Sequence, residues 1–264
     1  MPKARSHKAN IFPWTGGVPR PATYGHLSTR PLHTLCFLAP FLVLYEVGSL
    51  LYLREPSKGM IETISARRMF SGFFEVFGIA SFHIPPIALC VILLTWHILE
   101  RDPWGIRPRV LGGMAAESIM WTLPLLAFGL LFQIGRPALL ADGGMLADLS
   151  WQARLTLSAG AGIYEELLFR MILISGVHFV VVDLLHGSKG VGYTIGGVVS
   201  ALAFAFYHNV SHPGGGVDLS ILAYYSLAGM YLSALFIFRG FGMAVAVHAI
   251  FDAIVLLAIP IRSG

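Results

Sequence analysis

Charge is what this sequence has least of. Of its 264 residues, 12% are Asp, Glu, Lys or Arg, about half the ~25% of an ordinary soluble domain. With 56% hydrophobic residues and a mean hydropathy of +0.72, that scarcity excludes a water-soluble globule and a disordered chain. Cysteine is scarce as well. The only two, Cys36 and Cys90, both lie in apolar runs, so a disulfide scaffold is excluded and both read as small apolar filler. No basic stripe with interleaved aromatics is present, which sets nucleic acid aside as a partner. The net charge of +4 is instead spread over short loops, as suits contact with anionic lipid headgroups. Residues 1–30 are basic and proline-rich, lack the apolar core of a signal peptide, and are expected to form an irregular tail outside the hydrocarbon.

What is present is long apolar runs. Spans are expected at about Pro31–Leu53, Phe82–Leu99, Met114–Ile134, Trp151 or Gly160–Leu184, Val191–His208, Leu219–Phe238 and Phe241–Ile261. The stretch Met69–Ile79, with four phenylalanines around Glu75, reads as an amphipathic segment in the interface; it makes an eighth span only if it crosses. No alternating pattern of a membrane β-barrel is present, so the expected fold is all-α, a polytopic transmembrane helical bundle of about seven or eight spans. The organisation expected is the tail (1–30), N-terminal transmembrane helices (31–150) and a transmembrane core (151–264). Gly192 and Gly196 give the fifth span a small face for close helix packing. Five Lys and Arg precede the first span and four more follow it, so the positive-inside rule gives no clean orientation.

A few charges fall inside the apolar runs. The fourth span reads Gly160-Ala-Gly-Ile-Tyr-Glu-Glu-Leu-Leu-Phe-Arg170. Each charged side chain at mid-bilayer costs roughly 2.5–3.5 kcal/mol on the insertion scale, so these three must be paired or face a wet cavity. Glu166 and Arg170 are four apart with the acid first, the favourable order for an ion pair. Glu165 lies about 100° round the helix from Glu166 and has no sequence-local partner. A supported pair beside a free carboxylate is the disposition of a general base. The fifth span ends Phe204-Ala-Phe-Tyr-His208, and the seventh contains His248-Ala-Ile-Phe-Asp252, whose His and Asp share a helix face. Antiparallel neighbours put Glu165 and His208 on the same side, so a cluster of Glu165, His208, His248 and Asp252 is expected. Glu46, Glu75 and Glu117 read as structural or interfacial, His83 and His97 as interface residues, and His178 and His212 belong to no motif.

Glu165-Glu166-x-x-x-Arg170, Phe204-x-x-x-His208 and His248-x-x-x-Asp252, in that order on hydrophobic helices, resemble the three motifs of the CPBP family of intramembrane proteases. This family is also called Abi and includes the CAAX prenyl endoproteases. The resemblance covers about Gly160–Ile261. It implies a helical membrane domain with a polar cavity, and cleavage of a membrane-associated or prenylated peptide. On the matching positions it implies Glu165 as the base that activates water, assisted by His208. His248 and Asp252 would orient or stabilise the oxyanion, and Glu166 and Arg170 would hold the site together. The family's third motif commonly ends in Asn, whereas Asp252 stands here; an ionised Asp cannot donate a hydrogen bond to an oxyanion. Asp252 is therefore expected to fix the tautomer of His248 or to be protonated.

The same four residues, Glu165, His208, His248 and Asp252, would be the ligands of a divalent metal such as zinc if one were present. Metal-free catalysis without a cofactor is the favoured expectation, because no His-Glu-x-x-His places two imidazoles on one helix face. No Gly-x-Ser-Gly and no Gly-x-Gly-Asp occurs either, which disfavours the rhomboid and presenilin classes. The competing readings are a proton- or ion-coupled transporter, and a non-catalytic membrane immunity or scaffold protein that keeps the fold. Expected partners are membrane lipid and a peptide or lipidated protein substrate; the pattern sets no oligomeric state. The expected location is the cytoplasmic membrane of a bacterium.

Overall fold

The computed structural model describes residues 23–55, 59–60, 84–132, 149–212 and 214–258. The expectations for residues 1–22, for the phenylalanine-rich stretch with Glu75 and for His83 lie outside the described residues.

Helix boundaries follow local chemistry. The helices are α1 (Tyr24–Leu27), α2 (Pro31–Tyr52), α3 (Ile84–Glu100), α4 (Pro108–Leu131), α5 (Trp151–Leu184), α6 (Lys189–Tyr207), α7 (Leu219–Arg239) and α8 (Phe241–Leu257). Proline opens α2 and α4 at a position where its missing N–H costs nothing. Side chains of Ser150, Ser188 and Asp218 accept from the exposed N–H groups that start α5, α6 and α7. Gly240, at φ 87°, ends α7 and starts α8, a sharp turn in a backbone region that favours glycine. A two-residue ladder, Arg54–Glu55 against Gly59–Met60, follows α2.

The seven longer helices match the seven expected spans. Five of them, α2, α4, α5, α6 and α7, are long and apolar enough to cross a membrane, while α3 and α8 are apolar and shorter. In those five, only 22–39% of the most apolar window is buried inside the protein, so most of the apolar surface faces outward. A helix apolar on its outer face belongs in lipid. The chain is an all-α integral membrane protein.

Two boundaries differ from expectation. The third span begins at Pro108 instead of Met114, because proline starts the helix among the loop arginines. The described end of the expected tail, residues 23–30, contains the helical turn α1, and Leu27 is buried. The turn is tied down by the Tyr24 hydroxyl donating to Glu117 Oε2 at 2.5 Å, and by Arg239 donating to Ser28 Oγ at 3.3 Å.

Helix α8 is central. Every residue from Phe241 to Ala249 is buried, and the helix packs against α5, α4, α7 and α2. Small residues set the approach of the helices that carry charge. A Cβ on Gly162 of α5 would stand 2.8 Å from both the Ala249 Cβ and the Val245 carbonyl of α8. A Cβ on Gly229 of α7 would stand 2.9 Å from Ala201 Cα of α6. The Gly192 and Gly196 face of α6 meets Val182, His178 and Ile174 of α5, the close packing expected for it.

Helix α5 is α-helical over Trp151–Glu166, π-helical over Leu167–Ile174, α-helical again over Ser175–His178 and π-helical over Phe179–Leu184. Such π segments recur at functional sites. Here the first begins directly after Glu165 and Glu166.

Replacing Gly162 with Val should therefore separate α5 from α8 and destabilise the protein by about 1–3 kcal/mol. Gly190→Ala, where an added Cβ meets nothing within 4 Å, should be neutral. Thermal unfolding of the two purified variants in detergent checks the contrast.

Candidate active site

Six side chains, Glu165, Glu166, Arg170, His208, His248 and Asp252, converge where α5, α6, α7 and α8 meet. Glu166 and Arg170 are fully buried, Glu165 is 7% exposed and His248 5% exposed. Arg170 Nη1 donates to Glu166 Oε1 at 2.9 Å, the ion pair expected from the spacing. Its Nη2 donates to the Gly229 carbonyl at 3.3 Å, and its guanidinium lies 4.4 Å from the centroid of the Phe204 ring. One cation thus links α5, α6 and α7 by charge, hydrogen bond and cation–π contact.

Glu166 does more than hold Arg170. The same Oε1 accepts from His248 Nδ1 at 2.7 Å. Fixing Nδ1 as the donor leaves His248 Nε2 facing Asp252 Oδ2 at 3.5 Å and Glu165 Oε2 at 3.9 Å. The tautomer-fixing contact expected of Asp252 is made by Glu166 on the opposite ring nitrogen, because α8 lies directly against α5 at Gly162.

His208 follows the last turn of α6 and adopts an extended backbone, φ −82° and ψ 158°. Its Nδ1 lies 2.8 Å from the Phe204 carbonyl, a hydrogen bond that leaves Nε2 facing Glu165 Oε2 at 3.9 Å. The ring stacks on Tyr225 of α7 with centroids 4.0 Å apart and planes 19° from parallel. Both imidazoles therefore spend one nitrogen on the scaffold and turn the other toward one oxygen of Glu165. That oxygen is buried and makes no direct hydrogen bond. A 3.9 Å gap is too long for a direct hydrogen bond.

The four expected residues, Glu165, His208, His248 and Asp252, are together, with Glu166 and Arg170 behind them. Zinc ligands at ~2.0–2.2 Å lie roughly 3.4 Å from one another in a tetrahedron, closer than Glu165 Oε2 is to either imidazole. Among the described residues no group of three or more His, Cys, Asp and Glu is arranged to hold a metal ion.

Sequence spacing missed several supports. Tyr225 and the Gly229 carbonyl come from α7, which carries no ionisable motif. Arg154 is fully buried and donates to the carbonyls of Leu149 and Leu256, closing the end of α8. Glu117 is structural, as expected: Arg239 donates to both its oxygens at 2.6 Å and Trp121 Nε1 donates at 3.0 Å. His97 is 1% exposed and packed edge-on against Trp104, so it is a core residue instead of an interface residue. His178 is likewise buried, against Tyr193, and His212 lies in the loop after α6, where its Nδ1 accepts from Gly214 N–H.

A carboxylate and two imidazoles thus converge inside a helical membrane domain. Comparison with known families adds a match over part of the chain. Residues 148–254 match the family described as Rce1-like, type II CAAX prenyl endopeptidase, and over this segment the CPBP-like character read from the three motifs holds. No curated protein and no solved structure matches the chain. The family match, with the apolar helices, supports an intramembrane endopeptidase of the CAAX type in general terms, working in lipid on a protein or peptide.

Glu166→Ala should leave Arg170 as an uncompensated buried cation and cost about 3–5 kcal/mol. The double variant Glu166→Leu/Arg170→Met should recover part of that loss. Thermal unfolding in detergent reads both. Equal stability of the single variant and the wild type would remove the pair as a support of the fold.

Proposed function

We propose that the protein is an intramembrane endopeptidase that cleaves a peptide bond near the lipid-anchored, prenylated end of a protein by attack of an activated water. The observation that carries this reading is the single oxygen, Glu165 Oε2, facing Nε2 of His208 and Nε2 of His248 at 3.9 Å each. A water between Glu165 and His208 would be held by the carboxylate and polarised by the imidazole. As its oxygen bonds to the scissile carbonyl carbon, its proton passes to Glu165. That proton then goes to the leaving amine as the C–N bond breaks.

His248 supplies the electrophilic side. With Nδ1 on Glu166, an imidazolium presents its Nε2–H to the developing oxyanion. Asp252, 3.5 Å from that nitrogen, favours the charged ring. Its role in place of Asn is then to charge the donor, not to donate. Low local dielectric strengthens each of these interactions.

Metal independence is part of the proposal, supported by the donor spacing. The helical spans suit a bacterial cytoplasmic membrane, since outer-membrane spanning proteins are closed β-barrels.

Cleavage of a prenylated peptide by the purified protein tests this reading. Glu165→Gln and His208→Ala should each lower kcat about 10²–10⁴-fold, with folding and insertion intact, and a chelator should leave the wild-type rate unchanged. Wild-type rates from purified Glu165→Gln would overturn the assignment of the base. Loss of activity on chelation, restored by a divalent metal, would overturn metal independence.

A further inference from the structure

At the opposite end of the bundle from His208, a cavity of about 680 Å³ opens beside the start of α4. Its volume lies within the roughly 300–1,000 Å³ of small-ligand sites. Tyr24, Leu27, Ile106 and Val110 form an apolar wall, and Arg107 and Arg109 stand at its rim. Leu27 and Val110 are buried, whereas both arginines are exposed.

The wall is rigid. The Tyr24 hydroxyl donates to Glu117, and Arg239 lies 5.6 Å from the Tyr24 ring centroid. Burial pushes the Tyr24 phenol up to about 12, so it adds no negative charge. The Arg107 backbone N–H donates to His33 Nε2 at 3.3 Å, which pins the loop to α2.

The nearby carboxylates are already taken. Asp102 pairs with Arg30 at 3.4 Å and Glu117 with Arg239 at 2.6 Å. Among the described residues neither Arg107 nor Arg109 has a carboxylate partner. The cavity thus carries two guanidinium groups without a carboxylate partner among the described residues, above an apolar wall. It also lies at the membrane boundary: the spanning helix α4 begins at Pro108, and Trp104 and Ile106 of the preceding loop are 65% and 44% exposed.

We propose that this cavity is a binding site for an anionic phospholipid, its headgroup phosphate on Arg107 and Arg109 and its acyl chain along Leu27, Ile106 and Val110. Guanidinium suits phosphate because its planar fork donates two parallel hydrogen bonds. An apolar wall continuous with the spanning helix suits a tail and has no use for a free anion. The site is independent of the peptidase reading.

Native mass spectrometry of the full chain tests this, after exchange into nanodiscs of phosphatidylglycerol or phosphatidylcholine. The wild type should retain phosphatidylglycerol in preference. Arg107→Gln/Arg109→Gln should lose that preference by roughly 25-fold, about fivefold per charge. Arg101→Gln, a nearby exposed arginine outside the cavity lining, should keep it. Arg107→Lys/Arg109→Lys, which keeps both charges, should retain most of it and guards against a folding defect in the Gln variant. The proposal is overturned if the Gln variant keeps the wild-type preference, or if the wild type retains the two lipids equally. Displacement of the lipid by soluble glycerol phosphate at equal concentration would show a site for free phosphate and overturn it as well.

Discussion

The site where α5, α6, α7 and α8 meet depends on one carboxylate oxygen. Glu166 Oε1 accepts from Arg170 Nη1 at 2.9 Å and from His248 Nδ1 at 2.7 Å. A buried carboxylate is costly unless its charge is answered by well-placed donors. Here the answer comes from a cation on its own helix and an imidazole on the neighbouring one. The arrangement fixes α5 against α8 and decides which nitrogen of His248 remains free. Stability and the chemistry of the site therefore rest on the same contact.

That contact needs close backbones. Gly162 lets α8 lie against α5, and Gly229 both lets α6 approach α7 and offers the carbonyl that takes the second arm of Arg170. The change from α to π geometry after Glu166 lies in the same stretch. It widens the turn that carries Arg170, whose guanidinium reaches Phe204 and α7 as well as Glu166. A rigid frame of this kind lets Glu165 stand without a direct partner, facing two imidazoles whose other nitrogens are tied down.

Much of this was legible in the sequence, for definite reasons. The helices follow from long apolar runs, while the starts set by Pro108 and Ser188 lie a few residues outside those runs. The site residues stand out because charge is rare in such runs and because Glu166 with Arg170, and His248 with Asp252, repeat the helical spacing of four. Other contacts have no spacing to read. The bond from His248 to Glu166, the stack of Tyr225 on His208 and the bonds from Arg154 to Leu149 and Leu256 depend on helix placement or on backbone carbonyls. One of the contacts expected of Asp252, the short one to the His248 ring, is made by Glu166 for this reason: sequence distance favours the residue four positions away, whereas packing brought one from 82 positions away. The anchoring of Tyr24 at the described end of the tail had no sequence signal, because its partners Glu117 and Arg239 lie far along the chain.

The central claim is that Glu165 and His208 act as one unit on a single water. A double-mutant cycle on kcat with a prenylated peptide tests it most directly, using Glu165→Gln, His208→Ala and the double variant. Groups acting as a unit are strongly non-additive. The double variant should be no slower than the slower single variant. Losses that multiply across the two positions would contradict a shared water and assign the residues to separate tasks.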